Sequence, residues 1–284
     1  MIIESDQINI KDLLIDEPQV GKDSWFDPER DLTVHDWQQM TKKLKDHEVN
    51  RREVWIDLAR PMMILSPTKM VHLFTEERAW EFARSRESSF DMPGRAGPQF
   101  QTTDSDIFEQ AFNLRVLCPH KIGQINMNWI KVESLMRRIT HRTAASTLKD
   151  NLMMRSAIKL LYPEKEVASS SGIKATVGIY LDRGRERDDW EQFLVFAALA
   201  RLLDSQIIES LDLTNKDKDQ MKDYVEMMKN FAESDNTWEF FARQAAYLAM
   251  ISAQEIKIND DGLQLIWSQK TEKKDAELPE WRSF

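Results

Sequence analysis

The stretches LSPTK, LCPHK and LYPEK begin at Leu65, Leu117 and Leu161, and each closes an apolar run with the same punctuation. Six positions before each leucine stands an anchor, and the same frame fits two later runs: Ala59, Ala111, Arg155, Ala197 and Ala245. Three residues after the anchors come Met62, Leu114, Ile158, Ala200 and Leu248, and six after come Leu65, Leu117, Leu161, Leu203 and Ile251. Four before them are Trp55, Ile107, Asn151, Phe193 and Phe241. Positions −4, 0, +3 and +6 share one face of an α-helix. The third copy departs at Asn151 and Arg155, where Leu152 and Ser156 stand one place along. The anchors recur every ~40–50 residues, the period of two-helix repeats.

The proline of the motif (Pro67, Pro119, Pro163) cannot continue a helix, and the lysine (Lys69, Lys121, Lys165) suits a negative helix end. The motif therefore reads as a helix stop. DLTVHDWQQM at Asp31 returns as DLTNKDKDQM at Asp212. Thr33 and Thr214 have the character of N-caps, each with an aspartate three residues on, Asp36 and Asp217. Met40 and Met221 then fall on the buried side. Each repeat is a pair: a first helix A, a short loop and a second helix B carrying the anchor. Expected A helices cover 75–87, 128–141 and 172–183 besides the two that follow DLT. Expected B helices centre on 52–65, 104–117, 146–161, 188–203 and 236–252.

These signals predict an all-α chain, an α-solenoid-like array of about five helix pairs with a small C-terminal β-hairpin cap. The scarcity of glycine, 8 in 284 residues, and 14 methionines agree with helices rather than a turn-rich β fold. The expected organisation is an extended arm over 1–30, partly pinned by Trp25 and Phe26, and the helical-repeat domain over 31–254. The hairpin cap follows over 255–267 and a charged tail over 268–284. In EIKINDDGLQLIW, Ile256 and Ile258 alternate, as do Leu263, Leu265 and Trp267, around Asn259-Asp260-Asp261-Gly262.

The aromatic-x-x-Phe-x-x-x-Ala unit with its Leu-x-Pro-x-Lys stop, the segment EIKINDDGLQLIW and the short tail ending in Phe284 resemble a group of helical-repeat proteins of small-genome bacteria. The resemblance is clearest over 212–284. It implies the repeat architecture and carries no activity with it.

A net charge of −9 argues against broad, sequence-independent nucleic-acid binding. The single cysteine, Cys118, cannot form an internal disulfide, and the acidic start MIIESDQINI lacks the form of a signal peptide. No run approaches the ~20 apolar residues that span a bilayer. The expected setting is the cytoplasm, away from membranes.

Catalytic signals are weak. Cys118 and His120 offer a thiol and an imidazole, but Cys118 fills a repeat slot held elsewhere by Ser66, Tyr162, Asp204 and Ser252. The five histidines form no metal-binding spacing. SSSGIKATVG lacks the strand and the Lys-Ser/Thr pair of a phosphate loop, because Ala175 follows Lys174. No cofactor or catalytic residue is assigned, and the chain is read as non-enzymatic. Arginines supply the binding candidates. Arg137, Arg138 and Arg142 form one group with His141, and Arg183, Arg185 and Arg187 form another, both near turns between A and B helices. Arg95 and Phe100 lie in the Pro- and Gly-containing insertion FDMPGRAGPQFQTTDSD. The leading expectation is a scaffold that binds a protein partner along a concave face. The alternative is an RNA- or ribosome-associated factor using the arginines.

Overall fold

The computed structural model describes residues 24–86, 104–124, 146–165 and 171–267. Among them run α1 (Pro28–Asp31), α2 (Val34–Asn50), α3 (Arg52–Leu65), α4 (Pro67–Met70), α5 (Glu76–Arg86) and α6 (Asp104–Leu117). A 3₁₀ turn at Pro119–Gln124 follows, then α7 (Ser146–Leu161), α8 (Ser171–Arg187), α9 (Trp190–Leu203), α10 (Asn215–Asp235) and α11 (Trp238–Ser252). The chain ends its described course in β1 (Glu255–Asn259) and β2 (Gly262–Ile266). The protein is therefore mostly helical with one small antiparallel sheet.

Helix ends follow the local chemistry. α3, α6 and α7 stop at Leu65, Leu117 and Leu161, and Pro67 and Pro119 open the next short helical turn. A proline at the first helical position loses nothing, because its missing N–H would have had no intrahelical acceptor. The motif lysines turn to acids on neighbouring elements rather than to the helix ends: Lys69 Nζ lies 2.7 Å from Glu29, and Lys121 Nζ 3.4 Å from Glu77. Both DLT sequences make complete capping boxes. The Asp36 and Asp217 N–H groups donate to the Thr33 and Thr214 hydroxyls, and the Thr33 and Thr214 N–H groups donate back to the carboxylates at 2.8 Å. Met40 and Met221 are fully buried beneath them.

The five B helices are α3, α6, α7, α9 and α11, and their contacts run in a circle. α6 packs on α7, α7 on α9, α9 on α11, α11 on α3, and α3 on α6. The first and last repeats are thus neighbours. An open solenoid with a free concave face, as the sequence leads one to expect, is not what these contacts describe. A solenoid's inner helices leave one stripe to solvent. Here α9 buries every residue from Phe193 to Leu202 except Val195, and α11 every residue from Gln244 to Ser252. A helix apolar on all sides belongs inside. Trp55, Trp190, Phe112, Phe193, Phe196 and Phe241 fill the interior, each contributing roughly 1.5–3 kcal/mol by burial. The A helices sit outside in the seams: α2 between α11 and α3, α5 between α3 and α6, α8 between α7 and α9, α10 between α9 and α11. The A helix expected over 128–141 lies outside the described residues.

The C-terminal ends of the ring helices are closed by two arginines at the same repeat position, four after the anchor. Arg115 of α6 donates to the carbonyls of Leu160 and Leu161 at the end of α7, and to Asn259 of the hairpin. Arg201 of α9 donates to Ile251, Ala253 and Gln254 at the end of α11. A helix's last carbonyls lack intrahelical donors, so a buried guanidinium there satisfies several at once. The hairpin pairs Glu255 with Ile266 through Asn259 with Gly262, across a two-residue turn, as the alternation predicts. It packs β2 against α6 and α3 and so covers this end of the ring rather than the end of a row. Gly262 takes φ +121°, and a β-carbon there would stand 3.1 Å from the Arg115 carbonyl. Of the expected N-terminal arm, Phe26 is buried, and its N–H and carbonyl both bond the Ser252 hydroxyl at 2.7 Å. A helical turn, α1, occupies the arm's last residues.

Candidate functional site

The arginine candidates separate on the structure. Arg137, Arg138 and Arg142, together with His141, and Arg95 and Phe100 of the insertion, lie outside the described residues. Arg185 and Arg187 stand in the last turn of α8 and Arg183 just before it, near the A-to-B turn where the sequence places them. Arg183 and Arg187 are exposed, and Arg183 lies 5.1 Å over the Tyr180 ring.

Arg185 is engaged within the fold. Its Nε donates to Asp217 Oδ1 at 2.9 Å and its Nη2 to Oδ2 at 2.7 Å, a two-pronged pair, and Nη2 also meets the Asp212 carbonyl at 3.4 Å. Asp217 is the buried capping aspartate of α10. The Arg185 guanidinium beside it, aided by the Thr214 backbone and hydroxyl, holds its carboxyl down to about 2 against the opposing effect of burial. Arg185 is thus the clamp between α8 and α10. A shallow cleft of about 470 Å³ adjoins it, lined along α8 by Lys174, Gly178 and Asp182 and opposite by Ser210 and Asp212.

Cys118 and His120 do not come together as a nucleophile and base. Cys118 is fully buried, whereas the exposed His120 turns its ring to Glu76 at 3.0 Å and Asp261 at 3.6 Å. Hydrogen bonding to Glu76 raises the His120 pKa. The pair ties α5 to the hairpin turn.

A polar cluster that the sequence does not announce joins α3 to α6 and reaches the surface at Glu109. Arg60 of α3 is 4 % exposed. Its Nη1 donates to Glu109 and, at 3.0 Å, to Asn113, both on α6, and its guanidinium covers the Phe112 ring at 4.9 Å. Glu109 and Asp57 hold the Arg60 charge in place against the penalty of burial. Tyr247 of α11 is buried, which pushes its hydroxyl pKa up; it also feels Arg60, Glu109, Arg243 and Glu191. These four charges come from α3, α6, α11 and α9. Arg243, one turn before Tyr247, lies 4.9 Å over the Phe240 ring. The signal available in the sequence was a polar residue inside an apolar run: Arg60 after Ala59, Asn113 after Phe112, Tyr247 after Ala246.

The outer surface carries a second feature. α10 buries Met221, Val225 and Ala232, yet leaves Met227 and Phe231, one turn apart, 43 % and 50 % exposed. Asp219, Asp223, Glu226 and Glu233 are exposed on the same helix.

Among the described residues no three side chains of His, Cys, Asp or Glu gather as metal ligands, and no helix is long and apolar enough to cross a membrane. No family model, curated protein or solved structure matches the chain.

Proposed function

We propose that the protein is a non-catalytic helical scaffold whose α10 face binds a basic, amphipathic segment of a partner protein. The observation that carries this reading is the exposed Met227–Phe231 step flanked by acidic side chains. Two apolar residues one turn apart supply anchors for a helix laid along α10, and the carboxylates select a partner of opposite charge. This replaces the concave face of a solenoid as the binding surface, because the ring closes on itself. It also fits the net charge of −9, which favours a cationic partner over a polyanion.

The RNA- or ribosome-associated alternative rests on arginines, of which Arg185 is already held by Asp217. The test is a tagged pull-down from the native cell at low and high salt, with protein and RNA both identified. A defined protein that binds wild type and is lost on Met227→Ser with Phe231→Ser, while the thermal midpoint is kept, supports the scaffold. RNA that is released by salt, and lost on Arg183→Ala with Arg187→Ala but not on the α10 change, overturns it in favour of the alternative. A protein retained equally by the α10 variant places the surface elsewhere and also overturns it.

A further inference from the structure

We propose that residues 7–11 of the chain, QINIK, pair with the outer edge of β1 as a third, antiparallel strand of the sheet. The inference is independent of the outer face of α10. Among the described residues the sheet has two strands, and β2 is the one that lies against α6 and α3. Asn259 and Gly262 flank the two-residue turn and face each other, so they exchange the hydrogen bonds that close it. Bonded pairs alternate along an antiparallel ladder, so Lys257 with Gln264 and Glu255 with Ile266 are bonded too. Ile256 and Ile258 therefore turn their N–H and C=O groups away from β2. Nothing among the described residues bonds those four groups. An open edge of this kind is a template for a further strand. The side chains along it are sorted by face. Ile256 and Ile258 pack on the ring but are only half-buried, while Glu255, Lys257 and Asn259 are exposed on the other face.

The start of the described chain lies beside this edge. Phe26 holds the Ser252 hydroxyl through its N–H and its carbonyl, and Ser252 ends α11 just before β1 begins. Residues 1–23 therefore join the fold near the Glu255 end of β1. An antiparallel register sets Ile10 opposite Ile256 and Ile8 opposite Ile258 as the two bonded pairs, and both isoleucines extend the apolar face. On the exposed face Lys11 meets Glu255, Asn9 meets Lys257 and Gln7 meets Asn259. Lys11 then stands at the end of β1 where Phe26 is fixed, and residues 12–25 have only to turn back between the two. A parallel strand would carry Lys11 to the Asn259 end and lose its pairing with Glu255. A second copy of β1 fits less well, because the register that bonds the same four groups sets Lys257 against Lys257, like charges directly opposite. With the edge covered, two copies cannot join sheet to sheet.

The experiment uses the full chain, with amide hydrogen exchange followed residue by residue by NMR. The Ile256 and Ile258 amides are expected to be protected like the Lys257 amide, which bonds β2. Ile10→Pro removes a donor from the third strand, and is expected to speed exchange at Ile256 and Ile258 by about tenfold or more while leaving Lys257 unchanged. Cysteine pairs in a Cys118→Ala background read the register. Lys11→Cys with Glu255→Cys is expected to close a disulfide within one chain on mild oxidation, and Lys11→Cys with Asn259→Cys is not. Fast exchange at Ile256 and Ile258 in wild type overturns the proposal, as does protection that Ile10→Pro leaves intact. A disulfide favoured at position 259 overturns the register, and one formed only between chains gives the edge to a second copy; either defeats the proposal. Should Ile10→Pro not fold, the wild-type exchange and the two cysteine pairs decide.

Discussion

Lys229 of α10 lies 3.3 Å from Asp36 of α2, joining the last outer helix to the first. The pair repeats the one that joins Arg185 of α8 to Asp217 of α10. Asp36 and Asp217 are the capping-box aspartates of their helices, buried at 1 % and 2 % exposure. Lys229 and Arg185 both stand at the fifteenth residue of theirs, counted from Asn215 and Ser171. The contact that ties one repeat to the next is therefore reused to tie the end of the chain to its beginning. Closure is a repeat contact made across the whole sequence.

Removing either cation leaves a buried carboxylate that still caps its helix but has lost its counter-charge. Arg185→Ala is expected to destabilise the fold by about 1–3 kcal/mol, and Lys229→Ala, which loses a single-pronged pair, by less. Urea unfolding of both variants checks the order. Equal losses, or none, would mean that the two pairs do not share a role.

The same pair sets an acid limit. The Asp217 carboxyl has its folded pKa lowered from 3.8 to about 2. A depressed carboxylate pKa contributes stability that is complete above the unfolded value and is lost as pH falls through the folded one. The Asp217 contribution is thus full above pH ~4 and disappears between there and about 2. Asp217→Asn is expected to be less stable at neutral pH and to show a shallower fall in stability over that window. Chemical unfolding at a series of pH values reads both.

The described B helices were legible in the sequence because they are written locally. The anchors, the Leu-x-Pro-x-Lys stops and the paired DLT boxes fix each B helix within two residues, since steric and capping rules act over a single turn. Closure was not legible. It depends on the small rotation each repeat adds to the last, and on partners such as Arg201 with Ala253 or Lys229 with Asp36 that no local window contains. One hint was present. WEQFLVFAALARLL and WEFFARQAAYLAMIS are apolar on nearly every face, and a concave solenoid surface would have needed a polar stripe there. The engagement of Arg185 was hidden for a related reason. A charge run shows which side chains are near in sequence, whereas the partner that occupies Arg185 lies in another helix.

Gly184 lets α8 pack directly against Trp190 of α9. A β-carbon at this position would come within 2.8 Å of the Trp190 ring, which is itself fully buried. The indole is fixed by Phe193, edge-on at 5.9 Å, and cannot swing away without disturbing the core. Gly184→Ala gains helix propensity of about 1 kcal/mol but forces the two helices apart, a loss of about 1–3 kcal/mol. The net expectation is a lower thermal midpoint together with an altered tryptophan emission. Gly178→Ala on the same helix, where nothing lies within 4 Å, is expected to be neutral or stabilising and serves as the control.

His47 gives the fold a second, milder acid sensitivity. The ring is 1 % exposed on the inner side of α2, and neither nitrogen has a hydrogen-bond partner among the described residues. Glu239 of α11 lies 4.0 Å from Nε2, too far to bond. Burial is the largest influence and lowers the His47 pKa from its ordinary value near 6.5. Lys43 and Arg51 act in the same direction, while Glu239 and Asp46 oppose them. A lowered histidine pKa means that the unfolded chain takes up a proton where the folded chain does not. Stability from this group is therefore complete above pH ~6.5 and declines as pH falls below it. Replacing the imidazole with the similarly sized apolar His47→Leu removes the group that must stay neutral. The variant is expected to lose less stability than wild type between pH 7 and 5, whatever its stability at neutral pH. Parallel unfolding curves for the two proteins across that range would show instead that His47 is protonated as readily in the fold as in the unfolded chain.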